Sequence, residues 1–211
     1  MEGKLKIADL ILEGEHTQQD FKYAISDSRK ISKSLSAFAN TIGGRLLVGI
    51  KDNGNVAGVR TDEEYYMIES AAHLYCHPRV EFDTYNWEVN EKTVLQVNVD
   101  ESKNKPHFVK NKDGSLEAFI RINDENIKAP EEIILLWSKQ KQELGSLIRY
   151  SYDEEKLFEY LKSHDSINRK EFQLIAKIKA KEAANTLANL IRFELIYYYY
   201  TGSEFRYSLI N

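Results

Sequence analysis

Hydrophobic positions along this chain switch repeatedly between a helical and a strand period. Ile31, Leu35, Phe38 and Ala39 stand at i, i+4, i+7 and i+8, one face of a helix. Asp27 or Ser28 is placed to cap that helix, and Gly43-Gly44 to end it, because glycine accepts the left-handed backbone just past a helix end. Ahead of it, residues 5–12 read as a short helix and 20–25 as a short strand. Behind it, 45–50 is an apolar strand, Asp52-Asn53-Gly54 is a turn, and 56–59 returns. Thr61 and Glu64 fit a capping box opening a helix to about Tyr75, with Pro78 beyond its end. Strand-like runs follow at 80–89, 93–99, 107–109 and 116–122. Pro130, suited to a first helical turn, opens a helix to about Gln140.

From about residue 150 the pattern changes. Residues 153–163 read as a helix with Leu157, Phe158 and Leu161 on one face, and 168–175 as a shorter one. Residues 179–191 form a third, with an apolar stripe of Ala183, Ala184, Leu187, Leu190 and Ile191. Strand-like segments at 194–200 and 204–210 flank Thr201-Gly202-Ser203. Three helices and then a β-hairpin is the order of a winged helix-turn-helix. The expected fold is therefore α+β (mixed α/β). Residues 1–140 carry an antiparallel-rich sheet with helices, 150–211 a winged helix-turn-helix, and 141–149 a short linker. No internal repeat and no low-complexity tract interrupts this layout.

The 211 residues allow one or two domains at ~100–200 residues each. A hydrophobic content of 42% with 29% charged residues fits a globular chain. The single cysteine, Cys76, rules out an internal disulfide framework and suits a reducing compartment. It reads as a small buried hydrophobe, and neighbouring His73 and His77 show no metal-ligand spacing. No apolar run approaches the ~20 residues of a membrane span, and residues 1–12 lack a signal-peptide core. Cytoplasmic residence without a membrane partner is the expectation. Net charge is −4, not a nucleic-acid signature, so any such binding requires a local patch. Residues 166–211 supply one: seven basic residues against four acidic ones, a net of +3. Lys177, Lys179 and Lys181 lie at the start of the second helix of the helix-turn-helix, with Arg192 farther on. They suit phosphate contacts around a major groove; the alternative is a solvated face on a packing or dimerisation module.

Two constellations in the first part could carry chemistry. Gly43-Gly44 and the 49–54 turn offer bare backbone amides to an anion, but the glycines end a helix and no Gly-Lys-Ser/Thr follows, so this is not a P-loop. Glu15, Asp20 and Asp52 stand near the ends of two expected strands. Converging carboxylates of this kind would bind Mg²⁺ or Mn²⁺ and support phosphodiester hydrolysis; unconverged, they are surface charge.

Glu15-His16-Thr17-Gln18-Gln19-Asp20-Phe21-Lys22, the long run from Ser36-Ala37-Phe38-Ala39-Asn40-Thr41-Ile42-Gly43-Gly44-Arg45 to Asp52-Asn53-Gly54, and Val56-Ala57-Gly58-Val59 together resemble the Schlafen-type AlbA domain over about residues 5–140. That family comprises DNA-binding or divergent AAA-like domains widespread in bacteria, and it also forms the lobes of the animal Schlafen nuclease core. The resemblance implies nucleic acid as partner, DNA ahead of RNA. It makes Lys22, Arg45 and Arg121 candidate contacts beside Lys177, Lys179, Lys181 and Arg192. It also places Glu15, Asp20 and Asp52 on the three-carboxylate catalytic and metal positions of the nuclease members. Asp20 replaces their second Glu, one methylene shorter. Those members join two lobes in one chain; this chain has one copy, which implies a homodimer. Lys105-Pro106-His107 and Phe119-Ile120-Arg121 resemble later family positions, while Asn123-Asp124-Glu125-Asn126 replaces the usual Gly-Ser-x-Thr. No motif supports ATP, and no cofactor beyond Mg or Mn is implied. The expected function is a DNA-binding protein acting as a transcriptional regulator; the alternatives are a metal-dependent endoribonuclease and an assembly module without nucleic-acid affinity.

Overall fold

The computed structural model describes residues 6–59, 61–139 and 151–210. The expected linker at 141–149 lies outside them, as do the first residue of the expected opening helix and Gln140. The chain divides into two compact units, Met1–Ala129 and Pro130–Asn211. No described helix is long and apolar enough to cross a membrane.

The first unit is built on two four-stranded sheets. In one, β1 (Gln19–Lys22) runs parallel to β2 (Gly44–Val48), which pairs antiparallel with β5 (Lys92–Val99); β4 (Asp83–Val89) pairs antiparallel with β5 and ends the sheet. The other orders β3 (Cys76–His77), β6 (Phe108–Lys110), β7 (Leu116–Ile122) and β8 (Glu125–Lys128), all antiparallel. Helix α2 (Ser28–Asn40) packs on both. Its Ile31, Leu35 and Phe38 share a core with Leu46, Val97 and Val99 of the first sheet and with Val109 and Phe119 of the second. Helix α1 (Ile7–Glu13) covers the opposite face of the first sheet, where Leu10 packs with Phe21, Leu47 and Val94.

The local signals act as their chemistry dictates. Asp27 caps α2, its Oδ1 accepting the Arg29 and Lys30 amides at 2.9 and 3.3 Å. At the other end Gly43 sits at φ +74, and its N–H reaches the Phe38 carbonyl at 3.0 Å. Two expectations change, and one strand carries no sequence signal. Thr61 and Glu64 do not form a capping box: Thr61 Oγ1 accepts the Glu63 amide at 3.2 Å, and α3 (Glu63–Ser70) starts there, widening into a π-turn at Ala71–Tyr75. Residues 56–59 form no return strand. Val56 makes one bridge to Ile50, and the Val59 amide turns instead to the Thr93 carbonyl at 2.8 Å. Strand β8 has no sequence signal, because Glu125-Asn126-Ile127-Lys128 holds one apolar residue and shows no alternation.

The second unit holds α4 (Glu131–Lys139), α5 (Tyr152–Leu161), α6 (Arg169–Ala176), α7 (Ala180–Arg192) and the antiparallel pair β9 (Ile196–Tyr200) and β10 (Phe205–Leu209). Leu157, Phe172, Leu187, Ile196 and Tyr207 meet in its core. Asn168 caps α6 by accepting the Glu171 amide at 2.9 Å, while the Glu171 carboxylate takes the Asn168 amide at 2.9 Å. Helix α4 packs on α7 within this unit.

Candidate functional site

Strand β1 carries Asp20 inward, where it is buried at 4% exposure. Its Oδ1 accepts Lys22 Nζ at 2.8 Å and faces Arg121 Nη2 at 3.6 Å, and its Oδ2 accepts Ser34 Oγ at 3.3 Å. Glu15, on the turn before β1, accepts the Phe21 amide at 2.9 Å and shares a hydrogen bond with Asp20. The two carboxyls titrate apart. Burial, then the hydrogen bond to Asp20, raises Glu15. Burial also pushes Asp20 up, but the Glu15 hydrogen bond, Lys22 and Arg121 together outweigh it and hold Asp20 below its ordinary value. Of the two, Glu15 is the one that gives up its proton at the higher pH.

Arg121 rises from β7 into this cluster. Its side chain is only 1% exposed. It donates to Asn126 Oδ1 at 3.1 Å and to the Gln19 carbonyl at 3.3 Å, and its guanidinium lies over the Phe38 ring, 5.2 Å from the centroid. Asn126 in turn donates to Ser34 Oγ at 2.9 Å. The segment 123–126, which departs from the family pattern, therefore closes a ring of polar contacts across β1, α2, β7 and β8. Ser34 and Asn126 gave no sequence signal of this role, since only tertiary pairing brings them to Asp20.

Asp52 does not join the pair. In the parallel β1–β2 ladder Asp20 sits level with Leu46. The strand runs only about 7 Å farther before leaving the sheet after Val48, and Asp52 is exposed on the turn beyond. Among the described residues no three His, Cys, Asp or Glu side chains are grouped to hold a metal. Mg²⁺ or Mn²⁺ does not fit the donor set that does converge: both oxygens of Asp20 are engaged by Lys22, Arg121 and Ser34, which leaves Glu15 alone to offer a carboxylate. Among the described residues, then, Glu15 and Asp20 come together and Asp52 stands apart from them.

The basic candidates of this unit are likewise committed internally. Lys22 bonds Asp20; Arg45 pairs with Glu13 and donates to Gln19 Oε1 at 2.6 Å; Arg121 is buried. The signature segment has a structural task too. Asn40, 1% exposed, donates to the carbonyls of His107 and Phe119 at 2.9 and 3.1 Å, and accepts the His107 amide at 2.7 Å.

In the second unit Lys177 adopts a left-handed conformation (φ 57, ψ 40) after α6, and Lys179 precedes α7. Lys177, Lys179 and Lys181 are all exposed, while Arg192 at the far end of α7 is half-buried. Ala184, Asn185, Ala188 and Asn189 share one side of α7 by their spacing. Lys139 of α4 donates to Asn185 Oδ1 at 3.1 Å and Asn189 Oδ1 at 2.8 Å on that side. Burial, then the charge of Arg192, lowers the Lys139 pKa.

A family model described as Schlafen, AlbA_2 matches residues 15–130. No curated protein matches. Among solved structures, the DIP2311 protein of Corynebacterium diphtheriae is similar at 17% identity and a TM-score of 0.46, over 60% of this chain and 28% of that protein. The N-terminal domain of a RecG-related protein from Nitrosomonas europaea is similar at 20% identity and a TM-score of 0.42, over 69% of this chain and 96% of that domain. The chain thus spans well under a third of the Corynebacterium protein.

Proposed function

The chain belongs to the Schlafen, AlbA_2 family, and on that footing we propose that it is a nucleic-acid-binding protein whose second unit acts as a winged helix-turn-helix holding DNA by its phosphates. The observation that carries this reading is the placement of Lys177, Lys179 and Lys181, exposed within five residues around the start of α7. The Glu182 carboxylate already takes the Lys179 amide at 2.9 Å at the start of α7, so the pull on a phosphate rests on the three lysine ammonium groups.

Base readout is disfavoured by the same geometry. Asn185 and Asn189 lie where a recognition helix presents side chains to base edges, and Lys139 engages both amide oxygens. The proposed contact is therefore backbone-directed and tolerant of sequence. A role as transcriptional regulator would rest on occupancy and on assembly as a homodimer. The test is fluorescence anisotropy with a labelled DNA duplex, comparing the protein with a Lys177→Ala, Lys179→Ala, Lys181→Ala variant. The variant is expected to bind at least about tenfold more weakly at moderate salt; equal affinity would overturn the proposal. Duplex and single-stranded RNA of the same sequence, titrated in parallel, decide between DNA and RNA.

A further inference from the structure

Strand β4 ends its sheet: among the described residues it pairs with β5 on one edge and with no strand on the other. Its exposure is unusual for a seven-residue strand. Asp83, Thr84, Tyr85, Asn86 and Glu88 are all exposed, with Tyr85 at 55%. Proteins guard such edges with proline, lysine, bulges or very short strands. Asp83-Thr84-Tyr85-Asn86-Trp87-Glu88-Val89 has none of these; Asp83 and Glu88 are its only charges.

We propose that β4 is the interface of a homodimer, pairing antiparallel with β4 of a second copy about a two-fold axis at Asn86. This register pairs the whole strand, because Asn86 is its midpoint. Tyr85 then faces Trp87 of the second copy, and Trp87 faces its Tyr85. The two rings already meet within one chain, edge to face at 4.6 Å between centroids, so the dimer extends that contact into a four-ring cluster. Thr84 faces Glu88, a hydroxyl donor opposite a carboxylate acceptor, and Asp83 faces Val89. No like charges stand opposite one another. The second copy is favoured over an unrelated extended peptide because the strand is complementary to itself in this one full-length register. The two four-stranded sheets become one continuous sheet of eight, an isologous contact that closes on itself. None of its residues is among the lysines of α7, so its test does not depend on nucleic-acid binding.

The experiment uses the full chain. Sedimentation velocity should show the 24.5 kDa chain forming a dimer at concentrations on the order of 10 µM. Asn86→Lys, which sets two ammonium groups face to face at an exposed position, should weaken the dimer at least about tenfold. Under mild oxidation Asn86→Cys should cross-link to itself. Asp83→Cys should not cross-link to itself but should do so when mixed with Val89→Cys. The native Cys76 does not confuse this reading, being 1% exposed with its thiol pKa pushed up to about 12 by burial. A wild-type chain that stays monomeric at these concentrations overturns the proposal. So does a dimer that survives Asn86→Lys and fails to cross-link through Asn86→Cys, which would place the interface elsewhere.

Discussion

Replacing Asn40 by alanine removes a clip between α2 and the second sheet of the first unit. The side chain is 1% exposed and reaches two segments far away in sequence. Alanine deprives the Phe119 carbonyl of a donor at 3.1 Å and the His107 amide of an acceptor at 2.7 Å. The His107 carbonyl keeps Ser36 Oγ at 2.7 Å, so its loss counts for little. Two buried backbone groups stripped of a partner cost about 1–3 kcal/mol each. Alanine recovers about 0.5 kcal/mol in helix propensity. The net loss is about 2–5 kcal/mol. Urea unfolding followed by circular dichroism reads it directly: with a slope of about 2 kcal/mol/M, the midpoint should fall by about 1–2.5 M. Asn40→Asp should do at least as much harm, since a carboxylate keeps the acceptor, loses both donors and buries a charge. A loss below about 1 kcal/mol for Asn40→Ala would refute the view that this residue ties α2 to the second sheet.

Three further outcomes follow from the same geometry. Gly44→Ala would set a Cβ 2.3 Å from the Phe38 ring, which is fully buried and has nowhere to move; a loss of about 1–3 kcal/mol is expected, and a neutral effect in thermal melts would show that the ring yields. Glu15 has a raised native pKa, so its contribution to stability is complete below its ordinary value and fades as pH rises through the native one. Asp20 has a lowered native pKa, so its contribution fades only as pH falls through that value. Glu15→Gln keeps a neutral partner for Asp20 and should flatten the decline in the urea midpoint as pH rises above 4.5; an unchanged pH profile would count against the shared hydrogen bond. Tyr207→Phe removes the hydroxyl that donates to the buried carboxylate of Glu132, leaving it Arg169 at 2.8 Å, and should cost the second unit about 1–3 kcal/mol by calorimetry; no change in its transition would mean that Arg169 alone satisfies the carboxylate.

Much of this architecture is written in local pattern. The spacing of Ile31, Leu35 and Phe38 with the Asp27 cap specifies α2, and the stripe of Ala183, Leu187 and Leu190 specifies α7, because amphipathic period and capping chemistry act within a few residues. What escapes is set by distant pairing. Arg121 reads as a candidate nucleic-acid contact but is buried beside Asp20, and Asp52 reads as a third carboxylate but stands exposed on the turn beyond β2. The Pro130 start of α4 is plain in sequence, yet nothing local says that the helix will lie along α7 and engage Asn185 and Asn189 through Lys139. Strand β8 exists because β7 offers it an edge, not because Glu125–Lys128 has strand character of its own.

The most direct measurement is the salt dependence of duplex-DNA affinity. Each phosphate neutralised contributes about −0.9 to the slope of log K against log salt. Lys177, Lys179 and Lys181 together should therefore account for a difference of about 2–3 in slope between the native protein and the variant lacking all three. A shallower slope and weaker binding in the variant, with little dependence on DNA sequence in either, is the predicted result. Parallel slopes in the two proteins, or no salt-sensitive binding by the native chain, would contradict it.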